Sequence, residues 1–314
     1  MQTTERAKII VIPNRKGGVS KTTSTAMLAT MLTMLGCRVL VIDNDSQANL
    51  TSMLGYTGYN GPNLYNVLLD EIELNKCVLK TTINPVTRQY FDPRQPHDVG
   101  TPQPGPYLVP ITTAASNADF DLKSKIATWI YQMRDALQPI TSSLDYILID
   151  CGPSLGTLTL NALTAADYVL IPVLPERVVV EGLAELIGVI ATTKRKMNPS
   201  LQIAGIFFSM VQHWRAHKDV KDELRLPQRQ KEMVEVLGPD APPLHVLTTE
   251  IRHNAALANS TNQRSLLVLE SGDNIHTKTY WFLLAELLDV VGGAGQAKVR
   301  QVVANIQAEK QAEK

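Results

Sequence analysis

The chain has 314 residues, 44 % apolar, 5 % aromatic and 19 % charged, and its 30 Lys and Arg balance its 30 Asp and Glu. That length and apolar content build the core of one large or two ordinary domains, and they exclude a disordered polyelectrolyte and a membrane bundle. A net charge of zero argues against nucleic-acid binding driven by bulk charge, while leaving room for a local basic face.

The first apolar run, Ile9–Ile12, ends at Pro13 and is followed by Arg15 and Lys16. It is too short for a secretory segment, and nowhere do 18 apolar residues run together as a membrane span requires. It belongs instead to a series of short β-branched runs: Lys8–Pro13, Arg38–Ile42, Tyr107–Ile111, Tyr146–Ile149, Tyr168–Val173, Ile203–Met210, His245–Thr249 and Leu266–Leu269. Several are apolar on both strand faces, as strands covered on both sides are. Between the first two, Leu28, Met31, Leu32 and Leu35 repeat at helical spacing before a stop at Gly36. Similar patterns lie near Lys123–Leu137, Val178–Met197, Lys218–Leu237 and His276–Val291. The alternation predicts an α/β fold: a doubly wound, mostly parallel sheet with helices on both faces.

One stretch breaks the rhythm. Seven prolines fall between Pro85 and Pro110 without apolar periodicity, which predicts a surface insertion within a single domain of residues 1–295. Residues 296–314 form a tail in which Val299, Val302, Val303 and Ile306 repeat at helical spacing. Its apolar face is small and its end charge-balanced, so packing on the body or fraying is expected rather than membrane binding. The three cysteines, Cys37, Cys77 and Cys151, are far apart and form no CxxC pair. Their number and spacing point to a reducing cytosol, without a disulfide framework or structural zinc site.

The most informative residues are Lys16-Gly17-Gly18-Val19-Ser20-Lys21-Thr22-Thr23, which follow a strand and open a helix. That context is the one a phosphate-binding loop requires. Gly17 and Gly18 have access to positive φ and let backbone N–H groups approach phosphates, and the helix N-terminus adds partial positive charge. In this reading Lys21 reaches the β/γ oxygens and the Thr22 hydroxyl is a magnesium ligand. Arg15 and Ser20 stand where the ordinary GxxxxGK[ST] loop has glycines. The match is to KGGxxK[ST][ST], the deviant Walker A motif, with a second lysine at Lys16. Two lysines five apart around this turn repel unless an anion sits between them.

With this motif the chain resembles the ParA/MinD class of deviant-Walker P-loop ATPases, and the ParA-type partition ATPases most closely, from about Lys8 to about Val291. The resemblance implies that Lys16 crosses a two-fold interface to the partner subunit's phosphates, so that ATP binding and homodimerisation are coupled. Asp43-Asn44-Asp45-Ser46-Gln47 is similar to the class's D-x-D-P-Q switch I. It implies that Asp45 positions the attacking water and that Asp43 lies near the magnesium shell; Ser46 replaces the usual proline. Leu148-Ile149-Asp150-Cys151-Gly152-Pro153-Ser154 matches Walker B and switch II, with Asp150 a magnesium ligand through water and Gly152 in place of a proline. Cys151 has no His in its motif and reads as a small packing residue. The cofactors implied are ATP and Mg2+, with Lys16, Lys21 and Asp45 as the catalytic set.

Ile171–Gly182 also resembles the class. Its Glu176-Arg177 pair has two open readings, a nucleotide contact across the dimer or a solvated loop. Ile251-Arg252-His253-Asn254 with Leu257-Ala258 is similar to the stretch near the adenine, which makes Arg252 a candidate base contact.

ParA-type dimers bind double-stranded DNA without sequence preference, and the local charges bear on this. Lys194–Lys231 holds nine cations against three anions, a net of +6, whereas Val39–Asn75 has five acids and no Lys or Arg. Lys194, Arg195, Lys196, Arg215, Lys218, Lys221 and Arg225 are the DNA-contact candidates, with Trp214, His213 and His217 among them. Ala256 stands where many relatives carry a basic residue.

The resemblance thus implies a cytoplasmic, nucleoid-associated ATPase that segregates a plasmid or chromosome with a ParB-like partner. With the loop starting at Lys16, no separate N-terminal DNA-binding domain is expected. Three alternatives stand: a ParA-like positioning ATPase for a protein cargo, a MinD-like membrane regulator, and an iron–sulfur reductase, for which Cys77 and Cys151 are poorly placed.

Overall fold

The computed structural model describes residues 6–85, 87–94, 101–125, 128–237, 244–254 and 274–312. Its strands are β1 (Lys8–Ile12), β2 (Val39–Asn44), β3 (Leu79–Ile83), β4 (Tyr90–Phe91), β5 (Gln103–Val109), β6 (Tyr146–Cys151), β7 (Tyr168–Val173), β8 (Gln202–Val211) and β9 (Val246–Arg252). They form one sheet in the order β4-β3-β5-β2-β6-β1-β7-β8-β9, parallel except where β3 pairs antiparallel with β4 and β5. The predicted doubly wound sheet is therefore present. The expected strand at Leu266–Leu269 lies outside the described residues.

Eleven α-helices among the described residues cover the sheet: α1 (Lys21–Met34), α2 (Asn49–Met53), α3 (Leu64–Leu68), α4 (Ala118–Lys125), α5 (Gln132–Leu137), α6 (Thr157–Ala165), α7 (Arg177–Lys196), α8 (Arg215–Arg225), α9 (Pro227–Leu237), α10 (Ile275–Val291) and α11 (Gln296–Ala312). Alternate residues of each central strand enter two cores. Ile9 and Val11 join Leu64, Met133, Leu163, Leu186 and Met233 on one face. Ile10 and Ile12 join Met27, Leu28, Leu50, Leu284 and Val299 on the other. Burial on both faces explains why these strands read as unbroken apolar runs.

Two predicted helices are divided. Lys123–Leu137 becomes α4 and α5 with a 3-10 turn at Trp129–Tyr131 between them. Lys218–Leu237 becomes α8 and α9, because Pro227 forces Leu226 into an extended conformation (ψ 130°) and then starts α9. The tail is helical and packs on the body. Val299 and Ile306 are buried, and Lys298 Nζ donates to the Leu35 carbonyl (2.6 Å) at the end of α1.

The proline-rich stretch differs from a surface insertion at both ends. Residues 103–109 are β5, hydrogen-bonded between β2 and β3, and Tyr90 is fully buried with its hydroxyl 2.7 Å from Thr30 Oγ1 on α1. Gly55 explains how β4 gets so close. Its φ is +102°, and a Cβ there would lie 2.7 Å from the Phe91 carbonyl carbon. Gly55→Ala is therefore expected to cost about 2 kcal/mol or more, combining left-handed strain with a backbone clash. Gly58→Ala, at φ +68° with open space around it, should cost only the strain, about 1 kcal/mol. Urea denaturation of both variants checks the difference; equal losses would exclude the clash.

Candidate active site

Parallel pairing brings the candidate residues together. Ile12 of β1, Asp150 of β6 and Asp43 of β2 are register partners across three adjacent strands, so the loops that follow all leave from one edge. This is the crevice where open α/β sheets bind ligands.

The loop from Pro13 to Ser20 is fixed from beneath. Asn14 is buried: its Oδ1 accepts the Lys16 N–H (2.8 Å) and its Nδ2 donates to the Pro172 carbonyl (2.5 Å) on β7. Ser209 Oγ on β8 donates to the Val19 carbonyl (2.9 Å). Gly18 takes φ +74°, as expected, but Gly17 does not use positive φ; the second left-handed residue is Ser20, at φ +62°. Ser20 therefore opens α1 without a side-chain cap, which leaves the helix N-terminus free to meet an anion. A Cβ on Gly17 or Gly18 would meet nothing within 4 Å, so the cradle is open on its outer side.

The two lysines part ways. Lys21 is 7 % exposed and donates through Nζ to the Lys16 carbonyl (3.0 Å). Burial lowers its pKa, opposed chiefly by the Asp150 carboxylate. Lys16 is half-exposed and ion-paired with Glu176, the residue before α7. That pair relieves the expected repulsion without an intervening anion.

The carboxylates are not equivalent. Asp43 is fully buried and satisfied: Oδ2 accepts both the N–H and the hydroxyl of Thr51 (each 2.7 Å), and Oδ1 accepts the Asp45 N–H (3.2 Å). Burial pushes its pKa up to about 7 even so. Asp150 is equally buried, yet neither oxygen has a hydrogen-bond partner among the described residues. Burial and the neighbouring Asp43 carboxylate raise its pKa well above the usual range, while Thr22 and Lys21 pull it down. An orphaned buried carboxylate beside the Thr22 hydroxyl fits a hydrated divalent cation. Asp43 instead braces switch I, a part its position in the motif did not reveal. Asp45 is half-buried, and Oδ1 accepts the Gln47 N–H (3.1 Å). Cys151 is buried with its pKa raised to about 12, which suits packing and not nucleophilic chemistry.

Arg252 ends β9 at the same edge, three strands from β1 or about 14 Å across the sheet. The basic stretch is not one face. Lys194, Arg195 and Lys196 end α7 near the start of β8, whereas Arg215 and Lys218 follow its end, about 30 Å away along ten residues of strand. Lys194 donates to the Pro199 and Leu201 carbonyls, and Lys221 (2.7 Å) and Arg225 (2.9 Å) both pair with Glu250. Glu250 lies beyond the counted stretch, which is why a linear sum overstated the free charge. Asn14, Thr51 and Ser209 were not predicted; a polar residue directly after an apolar strand was the available signal only for Asn14.

A phosphate cradle at the end of β1, a buried lysine and a Walker B carboxylate on the neighbouring strand define a P-loop ATPase of the deviant type. The family described as AAA domain matches residues 7–90 and 97–203. The chain is 34 % identical over 205 residues to the sporulation initiation inhibitor protein Soj of Bacillus subtilis (65 % of this chain, 73 % of the relative). It is 35 % identical over 206 residues to the chromosome partitioning protein ParA of Caulobacter vibrioides (65 % and 69 %). The crystal structure of a putative plasmid partition protein from Borrelia burgdorferi bound to AMPPNP aligns with a TM-score of 0.67 at 25 % identity, covering 90 % of this chain and 99 % of that one. The chain belongs to this AAA-domain family, and within it is a ParA-type partition ATPase.

The raised Asp43 pKa has a consequence for stability. The folded protein holds a proton that the unfolded chain releases near pH 3.8. Asp43 therefore favours the folded state most at low pH, and that contribution is lost as pH rises through about 7. Asp43→Asn retains an oxygen for Thr51 and removes the titration. Relative to wild type it should gain stability between pH 4 and pH 8, by an amount on the order of 4 kcal/mol. Urea denaturation across that range checks it, and a constant difference would contradict the assignment.

Proposed function

We propose that the protein is a magnesium-dependent ATPase whose ATP-bound form is a homodimer, which binds nucleoid DNA without sequence preference. It segregates a plasmid or chromosome together with a ParB-like partner. The observation that carries this is the pairing of an open, deviant phosphate loop with the orphaned Asp150 carboxylate beneath it. Lys21 neutralises phosphate charge from a desolvated position, where each interaction is stronger than in water. Thr22 and Asp150 would hold Mg2+, which supplies charge neutralisation at the β- and γ-phosphates when bound. Asp45 orients water from the switch I loop that Asp43 and Thr51 brace.

Lys16 is the residue through which nucleotide binding and dimerisation would be coupled. Its partner Glu176 is half-exposed, and an ion pair at that exposure is weak. Exchange of Glu176 for the phosphates of a second subunit is therefore a small step in free energy. The tail supports the cytoplasmic reading over a membrane-bound one, since Val299 and Ile306 are buried in the body. No helix among the described residues is long and apolar enough to cross a membrane.

Lys16→Ala should abolish ATP-dependent dimerisation, followed by light scattering, with only modest loss of nucleotide binding to the monomer. A dimer surviving in full would exclude the trans role. For DNA, Arg215 and Lys218 are exposed and have no ion pair among the described residues, whereas Lys221 and Arg225 are held by Glu250. Arg215→Ala with Lys218→Ala should lower the slope of log affinity against log salt by about 2, while Lys221→Ala with Arg225→Ala changes it less. Equal effects would refute this ranking, and absence of ATP-dependent binding by the wild type would refute the DNA reading itself.

A further inference from the structure

A second crevice lies beside the phosphate site and shares no residue with the loop at Lys16–Thr23. It has a volume of about 210 Å3 and is enclosed by switch I, switch II and the start of α4. No Lys, Arg or His is among its lining residues, while Asp45 stands on one side and Asp119 on the other. Both acids lie flush on the switch II backbone. A Cβ at Gly152 would sit 3.0 Å from Asp45 Oδ1, and one at Gly156 would sit 2.8 Å from both oxygens of Asp119.

Two further acceptors in the lining are buried and unused. Asn44 is 1 % exposed, and its Nδ2 donates to the Leu158 carbonyl (3.0 Å), which fixes the amide orientation and leaves Oδ1 without a partner. Thr157 is fully buried and its Oγ1 also has no partner, although its backbone N–H donates to Asp119 Oδ1 (2.7 Å). Orphaned buried oxygens of this kind are rare in folded proteins and point to a missing donor.

We propose that this crevice receives the guanidinium of an arginine from a partner polypeptide, which bridges switch I and switch II through Asp45 and Asp119. Guanidinium is planar, carries five donors and no acceptor, and so matches a lining whose unmet groups are oxygens on several sides. A bare divalent cation is a poorer match: among the described residues no group of three or more His, Cys, Asp or Glu could hold a metal. Phosphate is repelled by the two carboxylates. The bound arginine would not touch the nucleotide phosphates; it would fix one switch loop against the other. Its effect on turnover rests on the reading of Asp45 given above, but its binding does not.

The test is nucleotide-free titration of the full chain with Nα-acetyl-arginine amide, followed by the backbone amide resonances of Gly156 and Thr157, with acetyl-citrulline amide as the uncharged control. Saturable shifts are expected with arginine and not with citrulline. Asp119→Asn retains an oxygen for the Thr157 N–H and should weaken binding at least tenfold. Thr157→Val, which keeps both acids, should weaken it several-fold and serves if the first variant misfolds. Equal shifts with citrulline, or unchanged binding in both variants, overturn the proposal. So does reproduction of the shifts by magnesium, or by raising protein concentration alone, which would give the crevice to an ion or to a second copy. ATP turnover measured separately keeps the outcomes apart: an active enzyme that ignores the probe loses only the crevice.

Discussion

Two carboxylates and one ammonium buried at the same edge of the sheet set the terms for everything around them. Asp43 and Asp150 are register partners on β2 and β6, both without solvent exposure, and their charges repel across one strand spacing. Lys21 offsets only part of this, since it is desolvated too and its Nζ donates to the Lys16 carbonyl. Asp43 is satisfied locally by Thr51, which fixes where α2 begins. Asp150 has no such relief. A buried group that lacks its counter-charge destabilises the free protein and binds a cation more strongly for the same reason. The cost of the empty arrangement and the affinity of the filled one have a single source.

How much of this the sequence displayed follows from which interactions are local. The strands β1, β2, β6 and β7 are buried on both faces and read as continuous apolar runs, and the carboxylates at their ends followed directly. β3 and β4 were not legible, because Lys80, Thr81 and Thr82 lack the apolar density of a central strand and Tyr90–Phe91 is too short to show a period. Gln103–Tyr107 carries two prolines, yet it forms strand, since a proline is tolerated where its missing N–H leaves no ladder bond broken. The basic stretch misled in the opposite way. Lys221 and Arg225 are adjacent in sequence to cations, but Glu250 reaches them from β9, and no linear sum contains that pairing.

Departures from the family pattern also find a physical reason. The motif carries Gly152 where a proline is usual, and Asp45 lies against it so closely that a Cβ would be tight at 3.0 Å. In this conformation a larger residue would push the Asp45 carboxylate away from switch II. The glycine thus permits contact between the two loops, while Ser46 in switch I removes the constraint a proline would have placed on the other side. The loops are soft in backbone terms and are held instead by side-chain acids.

What limits that softness is the proline-rich segment. Tyr90 is hydrogen-bonded to Thr30 on α1, the helix that opens at Lys21. Phe91 packs on the Gly55 turn, just after α2, the helix that follows switch I. Arg94 then lies over Tyr56 and Tyr59, with its guanidinium 5.0 and 5.3 Å from the ring centres and paired to Asp92. One short strand and its following turn therefore brace the far ends of both helices whose near ends meet the nucleotide. A rigid body beneath two mobile loops confines any ligand-driven movement to the loops themselves. Displacement at Lys16–Ser20 or Asp45–Ala48 is then spent on the crevice between them and not dissipated through tilting of α1 or α2.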